Sequence, residues 1–547
     1  VGTETPAPTG AFEWMRPLYT LPTGLSFNAD TGAIDGTVYE TTYSESGAAS
    51  DVTVTTQANL QTEINSAAAR AGLSIIRIAP SSTITGQTTL KARSQVGWTY
   101  IISTQLASLP SITAGNVVGT VSNRVAAANV TNMPIFELGA TNGHHFDVEN
   151  GATNYYLRGL AFKNTTGYAS SSFIELFPPT ATVNANYPDE IVIQQCYFHS
   201  SSDNVRRAIQ CNTRRVAIMD NYCDRMGDQS NESQWLVSTA GVGPYRIVNN
   251  YSNVGGTSEN IMFGGSALPG SGETFAMADI EVRGELWTKP TTGYGGTGGN
   301  HKNHFEIKTA RRVLVEGCIA RVHNGGGQQF SVNIKLSGSS SAKGWCQDVT
   351  VRFLDVSQAL DGIVVSGTED YTGSNIVNRI EFCHNLVRDL NGSASNGHAF
   401  RLHQSITNVD FHHNTLLAAA SGNDLASCLQ LVNSGQRTSC RVQYNIMAGT
   451  DATPTWNVKS ADGFGEGETA FSALVTTGTF ASNLCVATGS LYPNQTRVAN
   501  RAAILFTNLA GDDYTLQAGS PAKGADPNGH DYGANMTLLN AAIAGVE

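Results

Sequence analysis

Apolar and polar residues alternate in short bursts along most of this chain, and the bursts recur. The commonest reads apolar–x–apolar–x–x–Asn, as in Val216, Ile218, Asn221 and in Tyr245, Ile247, Asn250. Later copies are Ile380, Phe382, Asn385 and Val409, Phe411, Asn414. Looser copies place Cys196, Glu285, Cys318 and Leu354 at the Asn position. Tyr155, Leu157, Leu160 gives a first copy, and Val442, Tyr444, Asn445 a last one shortened by two residues. Successive end positions lie 36, 25, 29, 35, 33, 36, 31, 29 and 31 residues apart. A spacing that drifts around thirty excludes the strict helical repeats and fits β-solenoid coils whose turns accept insertions. Two inward residues per burst is strand periodicity. Asn at a turn tolerates unusual backbone angles, and its amide can hydrogen-bond along the stack.

A second strand per coil aligns independently. Its inward pairs are Ile174/Leu176, Ile209/Cys211, Trp235/Val237, Ile261/Phe263, Phe305/Ile307, Val332/Ile334, Ile363/Val365, Phe400/Leu402 and Leu429/Leu431. Two registers interleaved in one order predict an all-β chain, a right-handed parallel β-helix of about ten or more coils. Stacked coils bury such pairs as one column. A solenoid end exposes apolar surface and unpaired strand groups, so a cap is expected. Residues 57–71 supply one, a helix with Leu60, Ile64, Ala67, Ala68 and Ala71 on one face and Gly72 to end it. The expected layout is a small non-solenoid segment at 1–50, cap helix and first strand at 51–80, β-helix at 81–450 and a turn-rich closing region at 451–547.

Composition agrees. Charged residues are 14%, and Gly is abundant at 56, which suits short strands and many turns rather than helix bundles. The 547 residues exceed one ordinary core, but each repeat packs only on its neighbours. A net charge of −11 without a basic stripe argues against nucleic acid as a partner. No run of eighteen apolar residues exists, so no membrane span is expected. The opening Val1 points to a removed leader or a piece of a longer protein. Nine Cys leaves at least one unpaired. Cys428 and Cys440 are candidates to bridge one turn, against the alternative of buried thiols throughout.

Residues 140–450 resemble secreted right-handed parallel β-helix proteins of the pectate-lyase-like and tailspike-like kind. The resemblance rests on IVIQQCYFHS, GPYRIVNNYSNVGG, ENIMFGG, NHFEIKTARRVLVEG and VDFHHNTLL, with DYTLQAGSPAKGAD similar to their closing segment. LPTGLSFNADTGAIDGTV, at 21–38, resembles the short signature of bacterial and phage immunoglobulin-like modules. In the β-helix family the strand-end pattern is often EGN; here EGC replaces it at Cys318, and Glu285 and Leu354 interrupt the ladder. The fold hosts lyases, hydrolases, tailspikes and adhesins, so it does not choose among them. The resemblance implies an extracellular location, a polysaccharide or cell-surface glycan as partner and, for the tailspike-like members, a homotrimer.

Residues between the inward pairs point outward. That column is Glu175, Gln210, Leu236, Met262, Glu306, Asn333, Val364, Arg401 and Gln430. Its most chemical stretch places His304, Glu306 and Lys308 outward on one strand, with Asn260, Asn333 and Lys335 beside them and Arg401 and His403 three coils on. β-Elimination of a uronic-acid chain needs cations at the sugar carboxylate and a base, with Lys308, Lys335, Arg401 and His304 as candidates. Hydrolysis needs two nearby carboxylates, and this column offers only Glu175 and Glu306, four coils apart. The plain alternative is a salt-bridged strand surface. The long insertion between Met262 and Glu306 carries Trp287 and Tyr294, candidates to stack on a sugar ring or to pack on the solenoid. Asp224, Asp228 and Glu232 are candidate Ca²⁺ ligands or a solvated turn. His412 and His413 read as turn residues. Three functions follow: a glycan-recognising spike or fibre component, a secreted polysaccharide lyase, or a passive surface-layer or adhesin module.

Overall fold

The computed structural model describes residues 25–27, 34–36, 44–112, 123–139, 143–165, 167–179, 184–201, 204–228, 231–265, 277–290, 301–323, 330–337, 346–367, 377–390, 397–418, 427–432, 437–449, 457–461, 463–487 and 490–547. Strands of successive coils stack in three long parallel sheets. The first runs from Ser50–Val54 to Val475–Ala481 with 14 described strands, and the third from Thr88–Leu90 to Val458–Ser460 with 12. The second runs from Thr83–Thr85 to Thr496–Val498 and holds 15, one of which, Asn204–Val205, pairs off the main path. Each coil visits the sheets in that order, giving a right-handed parallel β-helix.

The inward residues explain the stack. In the first sheet Val216/Ile218 pair with Tyr245/Ile247, then Ile280/Val282, Val313/Val315, Val349/Val351, Ile380/Phe382 and Val409/Phe411. In the third, Ile261/Phe263 pair with Phe305/Ile307, Val332/Ile334, Ile363/Val365, Phe400/Leu402 and Leu429/Leu431. All belong to one buried apolar cluster.

Four expectations are corrected. Leu236, not Val237, stands in register with Ile209 and Ile261, so Leu236 is inward and Val237 outward. The consecutive apolar run Trp235–Val237 carries no period-two phase. The last Asn copy is not shortened, because Cys440 and Val442 pair with Val409 and Phe411, and Tyr444 lies beyond the strand. The solenoid also continues past 450. Cys440 and Val442 pair onward with Gly478 and Phe480 of Val475–Ala481, whose Thr-rich outer face hid the alternation. It also begins earlier than 81, since Ser50–Val54 and Ser74–Ile78 are its first strands.

The corner between the first and second sheets is nearly invariant. The residue before each ladder position is left-handed: Gln195, Asp220, Asn249, Phe353, His384, His413, Tyr444 and Ser482 have φ of 51–59°. Gly284 and Gly317 take the same place with φ of 60° and 62°. A left-handed non-glycine residue costs about 1–2 kcal/mol, and the ladder offsets that cost. Asn414 Nδ2 donates to Phe382 O and His412 O at 2.9 Å, while its Oδ1 accepts from Asn385 N and Nδ2 at 3.0 and 2.9 Å. Asn445, Asn483 and Gln495 continue the chain of amides. Lower down, Cys196 N donates to Asn221, Asn221 N to Asn250, and Asn250 N to Glu285 Oε1 at 2.9 Å.

Helix Gln57–Ala68 follows the first strand and buries Leu60, Ile64, Ala67 and Ala68. Gln61 bonds both Thr89 N and Thr89 O, and Gln57 bonds Gln87 O, so these side chains satisfy backbone at the outermost strand of the third sheet. At the other end the chain turns back. Gly533 N donates to Tyr444 O, Ala534 N to Thr415 Oγ1 and Asn535 N to His384 Nδ1. Ala542 then lies over Gly317, and Val546 O accepts from Arg124. Residues 532–547 therefore form a strap along the solenoid, over apolar residues such as Leu386, Ile446 and Leu484. All nine cysteines are free and buried, so Cys428 and Cys440 are unbridged.

Candidate functional site

The third sheet presents the column that the alternation predicts. Glu306 lies between inward Phe305 and Ile307, opposite Met262 on one side and Asn333 on the other. Its carboxylate is buried and held from three directions: Lys335 Nζ at 3.3 Å, Lys308 Nζ at 3.7 Å and Asn333 Nδ2 at 3.2 Å. A buried carboxylate is tolerable only with such partners. Three strands along, Arg401 lies opposite Val364 and Gln430. At roughly 4.8 Å per strand that is about 14 Å from Glu306. The Arg401 guanidinium sits 4.9 Å over the Phe330 ring and 3.8 Å from Asp361. Burial pushes the Asp361 carboxyl up to about 6, against the opposing charge of Arg401. His403 Nδ1 lies 3.1 Å from Ser366 Oγ.

A second carboxyl joins Glu306. Glu259 stands one coil earlier, is fully buried, and accepts from Gln234 Nε2 at 2.7 Å. Lys302 Nζ is 3.7 Å from Glu259 Oε1 and also pairs with Glu232. Burial, then the negative charge of Glu306, raises the Glu259 carboxyl well above the usual range. Lys289 is buried beside it, and desolvation lowers its ammonium well below a free lysine. A carboxyl biased toward its neutral form thus lies one coil from the Glu306 carboxylate and its lysine partners. Sequence reasoning missed Glu259 because it shares the parity of inward Ile261, and Lys302 and Lys289 because they lie within the long insertion between Met262 and Glu306. The expectation that this face offers only Glu175 as a second carboxyl is thereby corrected. Glu175 sits four strands from Glu306, 3.2 Å from His144, whose hydrogen bond holds its carboxyl down to about 2.

Two predicted members do not reach this face. His304 precedes the strand Phe305–Ile307, and its Nε2 lies 3.0 Å from Arg321 O of the second sheet. Its ring packs on His323 at 5.6 Å. Burial, then nearby Lys289, keeps the imidazole neutral, so His304 is an interior residue and not a base open to substrate. Asn260 likewise points to the second sheet, where Nδ2 donates to Ser252 O, Ser252 Oγ and Thr288 O. The cause is local. The Asn260 N–H is shared between Asn303 O and His304 O, so the pairing splits and the alternation fails there.

Trp287 is also internal. Its indole is buried and stacks on Phe305 at 5.6 Å and 16°, so it offers no face to a sugar. Its middle place in the strand Leu286–Thr288 makes it a core residue of the second sheet. Tyr294 lies outside the described residues. The proposed Ca²⁺ ligands diverge. Asp224 bonds Tyr197 and His199, Asp228 bonds Asn231, and Glu232 pairs with Lys302. Only one set of mixed donors converges among the described residues, and it lies elsewhere.

Comparisons with known proteins add the following. Residues 2–70 match the family model described as "Putative Ig domain". The match extends well past the eighteen-residue signature and takes in the strand Ser50–Val54 and the helix Gln57–Ala68, which belong to the solenoid. No curated protein matches the chain. An alginate lyase from Paenibacillus sp. is 12% identical, with 76% of this chain and 99% of that one covered and a TM-score of 0.35. A mannuronan C-5 epimerase A-module from Azotobacter vinelandii is 11% identical, covering 83% and 98%, with a TM-score of 0.39. A capsular polysaccharide depolymerase tailspike from Acinetobacter baumannii bacteriophage Fri1 is 10% identical, covering 82% and 60%, with a TM-score of 0.31. No described helix is long and apolar enough to cross a membrane. By its three parallel sheets this chain is a right-handed parallel β-helix protein, with an immunoglobulin-like family match at its N-terminal end.

Proposed function

We propose that this chain is an extracellular glycan-recognising solenoid, a spike- or fibre-like host-binding component that takes a polysaccharide along its third sheet. The observation that carries this reading is the in-register column Glu306, Asn333, Val364, Arg401, Gln430 and Lys459, in which Arg401 and Lys459, with Lys308 beside the column, keep partial exposure, while Glu306, Asn333, Val364, Gln430 and the neighbouring Lys335 are buried beneath them. A column repeating at strand spacing over several coils fits an extended polymer better than a small metabolite. Lysine and arginine on that column favour an acidic sugar.

A second reading, action on the bound glycan, has one observation of its own. Glu259 and Glu306 place a neutral-leaning carboxyl and a cation-held carboxylate on adjacent coils. In a lyase the lysines would neutralise a uronate carboxylate, and the Glu306 carboxylate would take the proton. His304 is no longer a candidate.

The experiment is incubation with a panel of acidic and neutral polysaccharides, with and without calcium. Binding is read by calorimetry and turnover by ultraviolet absorbance of unsaturated products and by reducing ends. Recognition predicts binding that Arg401→Ala and Lys308→Ala each weaken about 5- to 30-fold, on an expected loss of about 1–2 kcal/mol per charge-assisted contact. Turnover lost in Glu306→Gln would establish the second reading. No binding on any glycan overturns both. Sedimentation of the full chain tests the expected homotrimer, which a monomer at micromolar concentration would refute.

A further inference from the structure

Eight of the nine cysteines lie in the apolar core of the solenoid: Cys196, Cys211, Cys223, Cys318, Cys346, Cys428, Cys440 and Cys485. Cys383 does not. It lies on the outer face of the first sheet, just past inward Phe382, yet is only 4% exposed. Its Sγ has no hydrogen-bond partner among the described residues. Glu381 stands two residues earlier on the same strand, and His412 is the direct register partner of Cys383 on the next. A carboxylate oxygen, the thiol sulfur and an imidazole nitrogen all lie within 4.8 Å of one another.

The surroundings orient these donors as the outer shell of a metal site does. Glu381 Oε2 accepts from Thr350 Oγ1 at 3.0 Å, and Glu381 Oε1 faces His412 Nε2 at 3.2 Å. His412 Nδ1 lies 2.9 Å from His413 Nδ1, and His413 Nε2 lies 3.6 Å from Asp526. With the His412 proton on Nδ1, donating to His413, Nε2 is left bare as a ligand. The flanking guanidiniums carry their own carboxylates: Arg352 pairs with Glu316, and Arg441 with Asp410. A thiolate, a carboxylate and a neutral imidazole sum to two negative charges, which a divalent ion cancels. One S, one N and one O donor on two strands suit tetrahedral Zn²⁺ with a fourth position for water.

We propose that Glu381, Cys383 and His412 form a zinc-class metal site on the outer face of the first sheet, linked through His413 and Asp526 to the chain segment that precedes the strap. The ion displaces the thiol proton and any proton on His412 Nε2, and both pass to solvent. The sequence reading of His412 as a turn residue is thereby revised, since it closes the strand Ile406–His412 and only His413 has the left-handed turn conformation.

Cobalt(II) titration of the full chain at pH 7.5 tests this. The expected result is one equivalent bound, with a thiolate-to-cobalt band in the near ultraviolet and ligand-field bands in the visible, all abolished by one equivalent of Zn²⁺. Cys383→Ser removes the near-ultraviolet band, and Cys440→Ala, in the core, leaves it. His413→Ala keeps the band and weakens affinity about 10- to 100-fold. Glu381→Gln is the second ligand variant, read beside far-ultraviolet dichroism, in case Cys383→Ser does not fold; it is expected to bind Co²⁺ weakly or not at all. A natively folded wild type that shows no such band overturns the site, as does a band surviving in folded Cys383→Ser.

Discussion

Glu285 shows how one residue can be legible as a position and opaque as chemistry. The repeat places it where other coils carry Asn, and the structure keeps it there, accepting from Asn250 N and Nδ2. Burial pushes its carboxyl from 4.5 up to about 8. The folded chain therefore keeps a proton that the unfolded chain releases near 4.5. Its contribution to stability is full below about pH 4.5 and is lost as pH rises toward 8. Glu285→Gln keeps the acceptor and removes the titration. Urea midpoints should show the variant gaining on wild type between pH 5 and pH 8; a constant difference would mean that Glu285 is not held neutral. The other residue-scale surprises also have local causes. Leu236 lost its phase inside a run of three apolar residues, while His304 and Asn260 lie where pairing splits, and period-two reasoning has no purchase at either place.

At the scale of elements, the alternating strands were readable because both sheets with predicted inward pairs place them against one core. The tight corner was readable only in part, since Asn marks it but the left-handed residue before it ranges from Gly to Phe and Tyr. Asn414 makes the dependence measurable. Asn414→Ala removes a donor to Phe382 O and His412 O and an acceptor for Asn385 N. Leaving such buried groups unpaired should cost about 2–4 kcal/mol in denaturant unfolding; a loss within about 0.5 kcal/mol, typical of a surface substitution, would mean that water replaces the ladder. The strap had no period to read. It passes so close to Gly317 that a Cβ there would sit 2.7 Å from Ala542 O. Gly317→Val, also strained by a φ of 62°, should lift this stretch and raise amide exchange in residues 536–546 while the third sheet stays protected. Equal exchange in both proteins would show that the strap holds without this contact.

Across the whole molecule, length varies from coil to coil while the third sheet keeps its register. The longest interval in the column, 44 residues from Met262 to Glu306, leaves Ile261, Met262 and Phe263 paired residue for residue with Phe305, Glu306 and Ile307. The first sheet likewise passes without a slip from Ile280 and Val282 to Val313 and Val315. The reason is the fixed corner. Every coil from Gly159 onward enters the second sheet through one left-handed residue and one ladder residue, whatever preceded it. An error of length made on one lap is thus cancelled before the next begins, as a clock is reset on each turn rather than allowed to drift. Each position on the third sheet can therefore change with little consequence for its neighbours' placement. A surface of this kind can be rewritten one coil at a time while the scaffold beneath it keeps its geometry.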